Sequence, residues 1–387
     1  MVSADNINLD CLGAICAYLS GPDLVAVSLT SRSFLVAATP HLYRTIGCNS
    51  IHSVQYKYLS LFETIQRHPQ LALHVREIDL QVFKLVGTIR KQFLKSCRNT
   101  IENSIGLESF SCESSEFLDY LLPSLKKLRQ LRTIRISGNL EDNPAQHLLC
   151  LTGLREISLN SASWNVTDQL PKWIRSGNST LTTLCLFQLE SLNEGILKDV
   201  LQTSQYTPNI KSLGLSCLKM SSNSLVDSNF TFSDIQHLAV QFWEINTFMT
   251  ENVSFLNLLL KLLVGSHRSS LRTLAIEGLS RAVMDIDRLS FIARDCRKLE
   301  KLTIPISISK RSEPLGVALS SSATLRTFKD SALRNVMVKN QEIIHIMNTV
   351  PSLETIEENH RVWTRNIRYP SSSPRSKGNN WYRNPIE

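Results

Sequence analysis

A six-residue phrase recurs along this chain and limits the folds that the chain can adopt. The segments LRTIRI at 131 and LRTLAI at 271 differ at two positions, and their shared pattern, apolar-x-x-apolar-x-apolar, occurs eleven times after residue 70. Successive copies start about 28 residues apart on average, a period close to that of solenoid repeats. The copies begin at residues 75, 107, 131, 154, 181, 210, 235, 271, 299, 325 and 353.

Each copy predicts a short strand with one buried face. The fourth and sixth residues of the hexamer are apolar, and the fifth points the other way because side chains alternate along an extended chain. The segments between hexamers, such as 286–299 and 341–350, carry apolar residues every three or four positions, which indicates amphipathic helices. A strand-turn-helix unit cannot bury its apolar edge alone, so the pattern predicts stacked units around a parallel sheet.

The hexamers resemble those of the leucine-rich-repeat family over residues 75–363. The resemblance implies an α/β fold, a curved solenoid of about eleven irregular repeats with parallel strands inside and helices outside. The alternative is an ordinary α/β domain whose strands happen to begin with Leu, and eleven spaced copies count against it.

Residues 1–50 have a different pattern, typical of three short helices, and are called the helical module. Gly21-Pro22-Asp23 separates the first helix from the second, because Pro is tolerated in a first turn. A third helix is expected to begin after a cap at Thr30 or Ser31 and to stop before Pro40. The apolar surface of three such helices would serve either to cover the first repeat or to dock on a partner.

The order of residues in the helical module resembles the F-box, the adaptor-docking part of substrate receptors in Skp/cullin/F-box ubiquitin ligases. Asp10, Pro22-Asp23-Leu24 and Thr30-Ser31-Arg32 carry the resemblance, while Asn8 stands in place of the usual Pro. It implies binding to a Skp-type adaptor and, through it, to a cullin/RING core. The implied adaptor-binding residues are Ile7, Leu12, Ile15, Leu19, Pro22, Leu24, Val27 and Phe34.

In such a receptor the repeats would hold a protein substrate, whose identity is unknown. The third, fifth and seventh positions of the hexamer frame are expected on the inner face, with acidic residues earlier in the chain and basic residues later. We hypothesise that this face favours a partner with the opposite gradient; ordinary solvated polar residues are the alternative. The candidates are Glu77, Asp79, Glu113, Arg135, Glu156, Asn160, Phe187, His237, Gln241, Lys301 and Lys329.

Composition bears on partners and location. Half of the net charge of +8 lies in residues 364–387, a Ser- and Asn-rich segment predicted to be a disordered basic tail. The first twenty residues contain no Lys or Arg, and no apolar stretch is long enough to span a membrane, so we expect a cytoplasmic and/or nuclear protein. The nine cysteines include no CxxC pair, which favours reduced thiols.

The sequence predicts a non-catalytic protein without cofactors, because it contains no HExxH, GxSxG or Gly-rich phosphate-binding motif. Residues 51–74 are predicted to form a helix that links the helical module to the repeats. Two other functions stay open. One is a non-ligase interaction scaffold with an F-box-like cap; the other is RNA binding, which the mixed charges of the inner face disfavour.

Overall fold

The structure, a computed structural model, divides the chain into two compact units, Met1–Leu181 and Thr182–Glu387. In the first unit, three helices are followed by strands that alternate with helices; in the second unit, strands also alternate with helices in part, with runs of three successive strands among the described residues 212–277 and 355–385. The residues that the structure describes are 7–48, 55–81, 87–177, 179–189, 191–192, 194–202, 209–217, 235–242, 267–277, 286–306, 308–332, 338–358, 361–365 and 381–385.

Three helices open the first unit, where the sequence pattern places them. A polar side chain caps each N-terminus by accepting a hydrogen bond from a backbone N–H two or three residues later. This satisfies N–H groups that have no partner inside the helix. The helices are α1 (Leu9–Cys16), α2 (Gly21–Ser28) and α3 (Arg32–Leu42), and their caps are Asn8, Ser20 and Ser31.

The third helix extends further than the sequence predicted. It was expected to stop before Pro40, but α3 continues through Pro40 to Leu42. The proline lies in the last turn, where its missing N–H leaves only the carbonyl of Val36 without its usual helical donor. Because the helix ends two residues later, the proline disturbs little of it.

A parallel sheet of five strands forms the first unit, with the strands neighbouring one another in chain order. Helices connect the strands, as the strand-turn-helix pattern requires. The elements are β1 (Thr45–Cys48), α4 (Gln55–Arg67), a 3₁₀ helix (Pro69–His74), β2 (Glu77–Leu80), α5 (Gly87–Asn103), β3 (Ser109–Cys112), α6 (Ser115–Leu125), β4 (Thr133–Ser137), α7 (Asp142–Leu149), β5 (Glu156–Asn160), α8 (Trp164–Thr167) and α9 (Leu170–Gly177).

The sheet begins earlier than the first hexamer that we recognised. Strand β1 lies within residues 1–50 and pairs with β2, so the helical module ends in the first strand of the sheet. The segment YRTIGC at 43–48 in fact has the spacing of the hexamer, with Ile46 fully buried. The predicted linker at 51–74 contains α4 and the 3₁₀ helix among its described residues.

Alternation of side chains along the strands produces the core of the first unit. The fourth hexamer position forms one continuous row across β2–β5, consisting of Ile78, Phe110, Ile134 and Ile157, all of which are inaccessible to solvent. Burying each such side chain stabilises the fold by about 1.5–3 kcal/mol. The intervening residues face the opposite side of the sheet and are at least partly exposed.

Three phenylalanines connect the helices behind this sheet. Phe62 of α4 packs edge-to-face on Phe93 of α5, with ring centroids 5.2 Å apart and an interplanar angle of 87°. Phe93 also packs against Phe117 of α6, at 5.7 Å. All three rings are at least 98% buried. The helix that follows the helical module is therefore held to the repeats by an aromatic core.

The second unit continues the same repeat and ends differently. Strands β6–β12 are parallel and neighbour one another in chain order, whereas β13 and β14 are antiparallel. Its elements are β6 (Thr183–Phe187), α10 (Glu194–Gln202), β7 (Ser212–Cys217), β8 (His237–Phe242), β9 (Thr273–Glu277), α11 (Ile286–Asp295), β10 (Lys301–Ile304), α12 (Ile308–Ser320), β11 (Thr327–Asp330), α13 (Asn340–Thr349), β12 (Thr355–Glu358), β13 (Arg361–Arg365) and β14 (Trp381–Pro385).

All eleven hexamers form strands, β2–β12, which confirms the expected α/β architecture of stacked leucine-rich-type repeats. The structure differs from the predicted tail at two places, because residues 364–365 belong to β13 and a second segment also forms a strand. Residues 381–385 form β14, which pairs with β13, because the antiparallel β13 offers its free edge to a returning chain. The rest of the predicted tail beyond residue 365 lies outside the described residues.

Candidate functional site

The helical module has a small core of its own. Leu12 and Cys16 of α1, Leu24 of α2 and Ala37 and Ala38 of α3 are buried together. Leu19, Val27 and Phe34, which were implied to bind the adaptor, are partly buried and pack against this core. Leu12 and Leu24 are therefore part of the module's own core, because they lie on the sides of their helices that face the other helices.

Other apolar side chains of the helical module face solvent. Of the implied adaptor-binding residues, Ile15 is 50% exposed and Ile7 37% exposed, and Pro22 is exposed as well. Tyr18 and Leu29 are exposed to 92% and 82%. Exposed apolar side chains at this density mark interaction surfaces in soluble proteins. We call the following set the apolar surface of the module: Ile7, Leu9, Ile15, Tyr18, Val25, Leu29, Leu35 and Val36.

Six members of this apolar surface were not among the implied adaptor-binding residues: Leu9, Tyr18, Val25, Leu29, Leu35 and Val36. A helical stripe identifies apolar residues at a suitable spacing, but a module of three helices has two kinds of apolar position, inner and outer. The only available signal was an excess of apolar residues over what forty residues can bury.

In the first unit, the exposed side of the sheet carries a cluster of charges. Arg135 of β4 and Glu156 of β5 form a two-pronged ion pair, with Nε–Oε1 and Nη2–Oε2 distances of 2.7 and 3.3 Å. The bond to Glu156, with smaller contributions from Glu77 and Asp79, raises the pKa of Arg135 above its ordinary value. The face therefore brings together Glu77, Asp79, Arg135 and Glu156, as the hexamer frame predicts.

Two further candidates of the first unit lie at the ends of strands. Glu113 follows β3, is exposed, and donates its backbone N–H to the carbonyl of Leu80 at 3.0 Å. Asn160 ends β5 opposite Ser137 and is partly exposed. Both residues lie at the carboxyl ends of their strands, about two positions beyond the row that contains Arg135.

In the second unit, the first candidates on the exposed side of the sheet are aromatic or polar residues rather than Asp, Glu, Lys or Arg. His237 shares a hydrogen bond of 3.0 Å, from Nδ1, with the hydroxyl of Thr273. Phe187 is partly exposed, and a Cβ at Gly214 would lie 2.6 Å from its ring, so the ring lies close over that glycine. Gln241 pairs through its backbone with Ser216 and Glu277, and its side chain lies outside the described part of the structure.

The basic candidates of the second unit differ in their surroundings. Lys301 is exposed on β10, whereas Lys329 of β11 pairs with Glu277 of β9 across the intervening strand, at 3.1 Å. On the strand between them, Thr303 lies opposite Lys329 in register and is 2% exposed although it lies on the outer-facing row. Glu277 occupies the seventh position of its hexamer frame, so the sequence rule could have found it. It offsets one of the two late charges on which the proposed gradient depended.

The described residues contain no group of three His, Cys, Asp or Glu side chains arranged to hold a metal ion. No helix in the described ranges combines the length and apolar character needed to cross a membrane. Two buried thiols, Cys112 and Cys296, have their pKa raised to about 12, chiefly because burial disfavours the thiolate.

Two solved structures were found to be similar, and the first supports the fold. A chain in the crystal structure of the Rad7 and Elc1 complex in yeast is similar, with a TM-score of 0.50 and 16% identity over 86% of this chain and 89% of that chain. The leucine-rich repeat-containing protein LegL7 from Legionella pneumophila aligns with a TM-score of 0.45 and 17% identity, covering 65% and 84% of the two chains. No protein-family model and no curated protein sequence matches this chain.

Proposed function

We propose that this protein is the substrate-recognition subunit of a cullin-RING ubiquitin ligase, in which the helical module docks on a Skp-type adaptor and the repeats bind a protein substrate. The observation that carries the proposal is the apolar surface of the module. Three helices that already enclose a core present eight further large apolar side chains to solvent. That arrangement suits a module that buries its outer side chains against a partner.

One feature supports the repeats as the substrate-binding part, and a second supports adaptor binding. The sheet faces carry charged and aromatic side chains on regular rows, and none of these rows holds the constellation of a catalytic nucleophile, base and orienting group among the described residues. Adaptor binding also agrees with a solved neighbour of similar fold that was crystallised in a complex, that of Rad7 and Elc1. The proposal therefore assigns binding to both modules and chemistry to neither.

The experiment measures binding of the full chain to a purified Skp-type adaptor by biolayer interferometry. The test variant carries Ile15→Asp and Leu29→Asp, which are 50% and 82% exposed and leave the module's core intact. Substituting Leu12 and Leu24 would confuse loss of docking with loss of the module's own packing. Val317→Asp, at a 63% exposed site on α12, is the matched control for adding charge at an exposed apolar position.

We expect the double variant to weaken adaptor binding at least about 30-fold, since one interface hot spot is worth roughly 2 kcal/mol. The control variant should bind as the wild type does, and all three proteins should give the same circular dichroism spectrum. If the folded wild type does not bind the adaptor, the ligase role is refuted, and a non-ligase repeat scaffold with an F-box-like cap is the function that remains.

A further inference from the structure

A cavity of about 530 Å³ in the second unit is lined, among the described residues, by Arg268, Ser269, Arg294, Asp295 and Arg297. Arg268 and Ser269 lie in the turn before β9, and the other three lie at the end of α11 and in the turn before β10. We call it the arginine pocket. It belongs to neither the helical module nor the exposed side of the sheet.

Hydrogen bonds and buried side chains hold the two turns that form the arginine pocket in place. The hydroxyl of Ser270 donates to the carbonyls of Ile235 and His267, at 2.9 and 3.2 Å. In the second turn, Cys296 and Leu299 are fully buried, and the backbone N–H of Leu299 donates to the carbonyl of Cys296 at 3.0 Å. The arginine side chains therefore project from backbone that is already ordered before a ligand arrives, which lowers the cost of binding.

The charges in the arginine pocket are only partly balanced. Arg294 forms an ion pair with Asp295, with Nε 3.0 Å from Oδ1. Arg268 and Arg297 form no ion pair within the part of the chain that the structure describes. Among the described lining residues, three guanidinium groups against one carboxylate give an excess of two positive charges, which matches the charge of about −1.5 to −2 on a phosphoserine or phosphothreonine at pH 7.

We propose that the arginine pocket binds the phosphoryl group of a phosphorylated protein segment. Arginine presents parallel N–H donors that fit phosphate oxygens in pairs, and the Ser269 hydroxyl supplies a further donor. Clusters of arginines are a general means of recognising phosphorylated peptides.

A phosphopeptide fits the arginine pocket better than a nucleic acid does. A nucleic acid requires a basic track along which successive phosphates are neutralised. Here Asp295 lies in the pocket, and the adjacent Glu300 pairs with Arg272 at 2.5 Å, so the positive charge is confined to one place. The inference does not rest on adaptor docking, because every lining residue lies in the second unit.

The test uses the full-length protein and a fluorescein-labelled peptide, Gly-Ala-pSer-Ala-Gly, with its unphosphorylated form as reference and fluorescence anisotropy as readout. Inorganic phosphate, added as competitor, shows whether the phosphoryl group alone accounts for binding. A labelled oligouridylate tests the nucleic-acid alternative at the same ionic strength. Arg268→Gln and Arg297→Gln are the test variants, and Arg288→Gln, at an exposed position earlier on α11, is the matched control.

We expect the wild type to bind only the phosphorylated peptide, and each test variant to weaken that binding about tenfold through loss of charge-assisted hydrogen bonds. Asp295→Asn should tighten binding about threefold, because it removes a repelling carboxylate and frees Arg294. Equal binding of both peptides, an equal loss in Arg288→Gln, weaker binding by Asp295→Asn, or a preference for the oligouridylate would each overturn the proposal.

Discussion

The aromatic core behind the first sheet predicts a large and localised cost for removing Phe93. Its ring is 1% exposed and contacts Phe62 on one side and Phe117 on the other, with centroids 5.2 and 5.7 Å away. Replacing a buried Phe by Ala typically costs about 3–5 kcal/mol, from lost apolar burial and the cavity left behind. We expect Phe93→Ala to fall in that range and Phe93→Leu, which retains most of the volume, to cost less than about 1.5 kcal/mol.

A double-mutant cycle isolates the contact that joins α4 to α5. The perpendicular rings of Phe62 and Phe93 should show a coupling free energy of about 0.5–1.5 kcal/mol beyond their burial. Equilibrium urea unfolding followed by circular dichroism gives the stabilities, and hydrogen exchange of the amides in α4–α6 shows whether the loss is local.

The control for this series is Val317→Ala, at a 63% exposed position, which should change stability by less than about 0.5 kcal/mol. If Phe93→Ala costs no more than this control, the aromatic core does not stabilise the first unit, and the account of how α4 is held to the repeats is refuted. Loss of protection outside α4–α6, with none inside, would contradict it equally.

Two further predictions concern buried titratable groups. Burial raises the pKa of Cys112 and Cys296 to about 12, so iodoacetamide at pH 8 should alkylate exposed Cys11 and Cys150 while sparing both buried thiols, as read by peptide mass spectrometry. Burial also raises the pKa of Glu358, so the folded state binds its proton more tightly than the unfolded state does, and stability should fall as the pH rises from the unfolded value through the folded one. Glu358→Gln should remove that part of the pH dependence in urea unfolding curves measured between acidic and neutral pH; unchanged curves would contradict the assignment.

The helical module shows where sequence reasoning reaches its limit. Its three helices and its capping residues follow from local signals, because a cap and a Gly-Pro-Asp turn act within a few residues. Which apolar residues face inward does not follow, since Leu12 and Ile15 both lie on an apolar stripe, yet one is fully buried and the other is 50% exposed. Their difference depends on where α2 and α3 pack against α1.

The charged residues on the sheets show the same limit: the sequence places them on one side, but only the structure shows which of them pair. The hexamer frame placed Arg135 and Glu156 on one side of the sheet, and they pair diagonally across neighbouring strands, two residues apart in register. The frame could not show that Lys329 reaches Glu277 across a whole strand. Nor could it bring Arg268 and Arg297, which are 29 residues apart, to the same pocket.

The sequence by itself determined that this chain is a stack of strand-turn-helix repeats behind a three-helix module, because a periodic apolar pattern fixes which residues must leave water, whatever lies around them. Only the tertiary structure decided which apolar side chains of the module stay exposed, which charges pair between strands, and which arginines meet in one pocket. The physical reason is that the buried positions of each repeat are set by its own sequence and recur with the repeat period. A surface is formed where side chains from different repeats come together, and their separation depends on how the repeats pack.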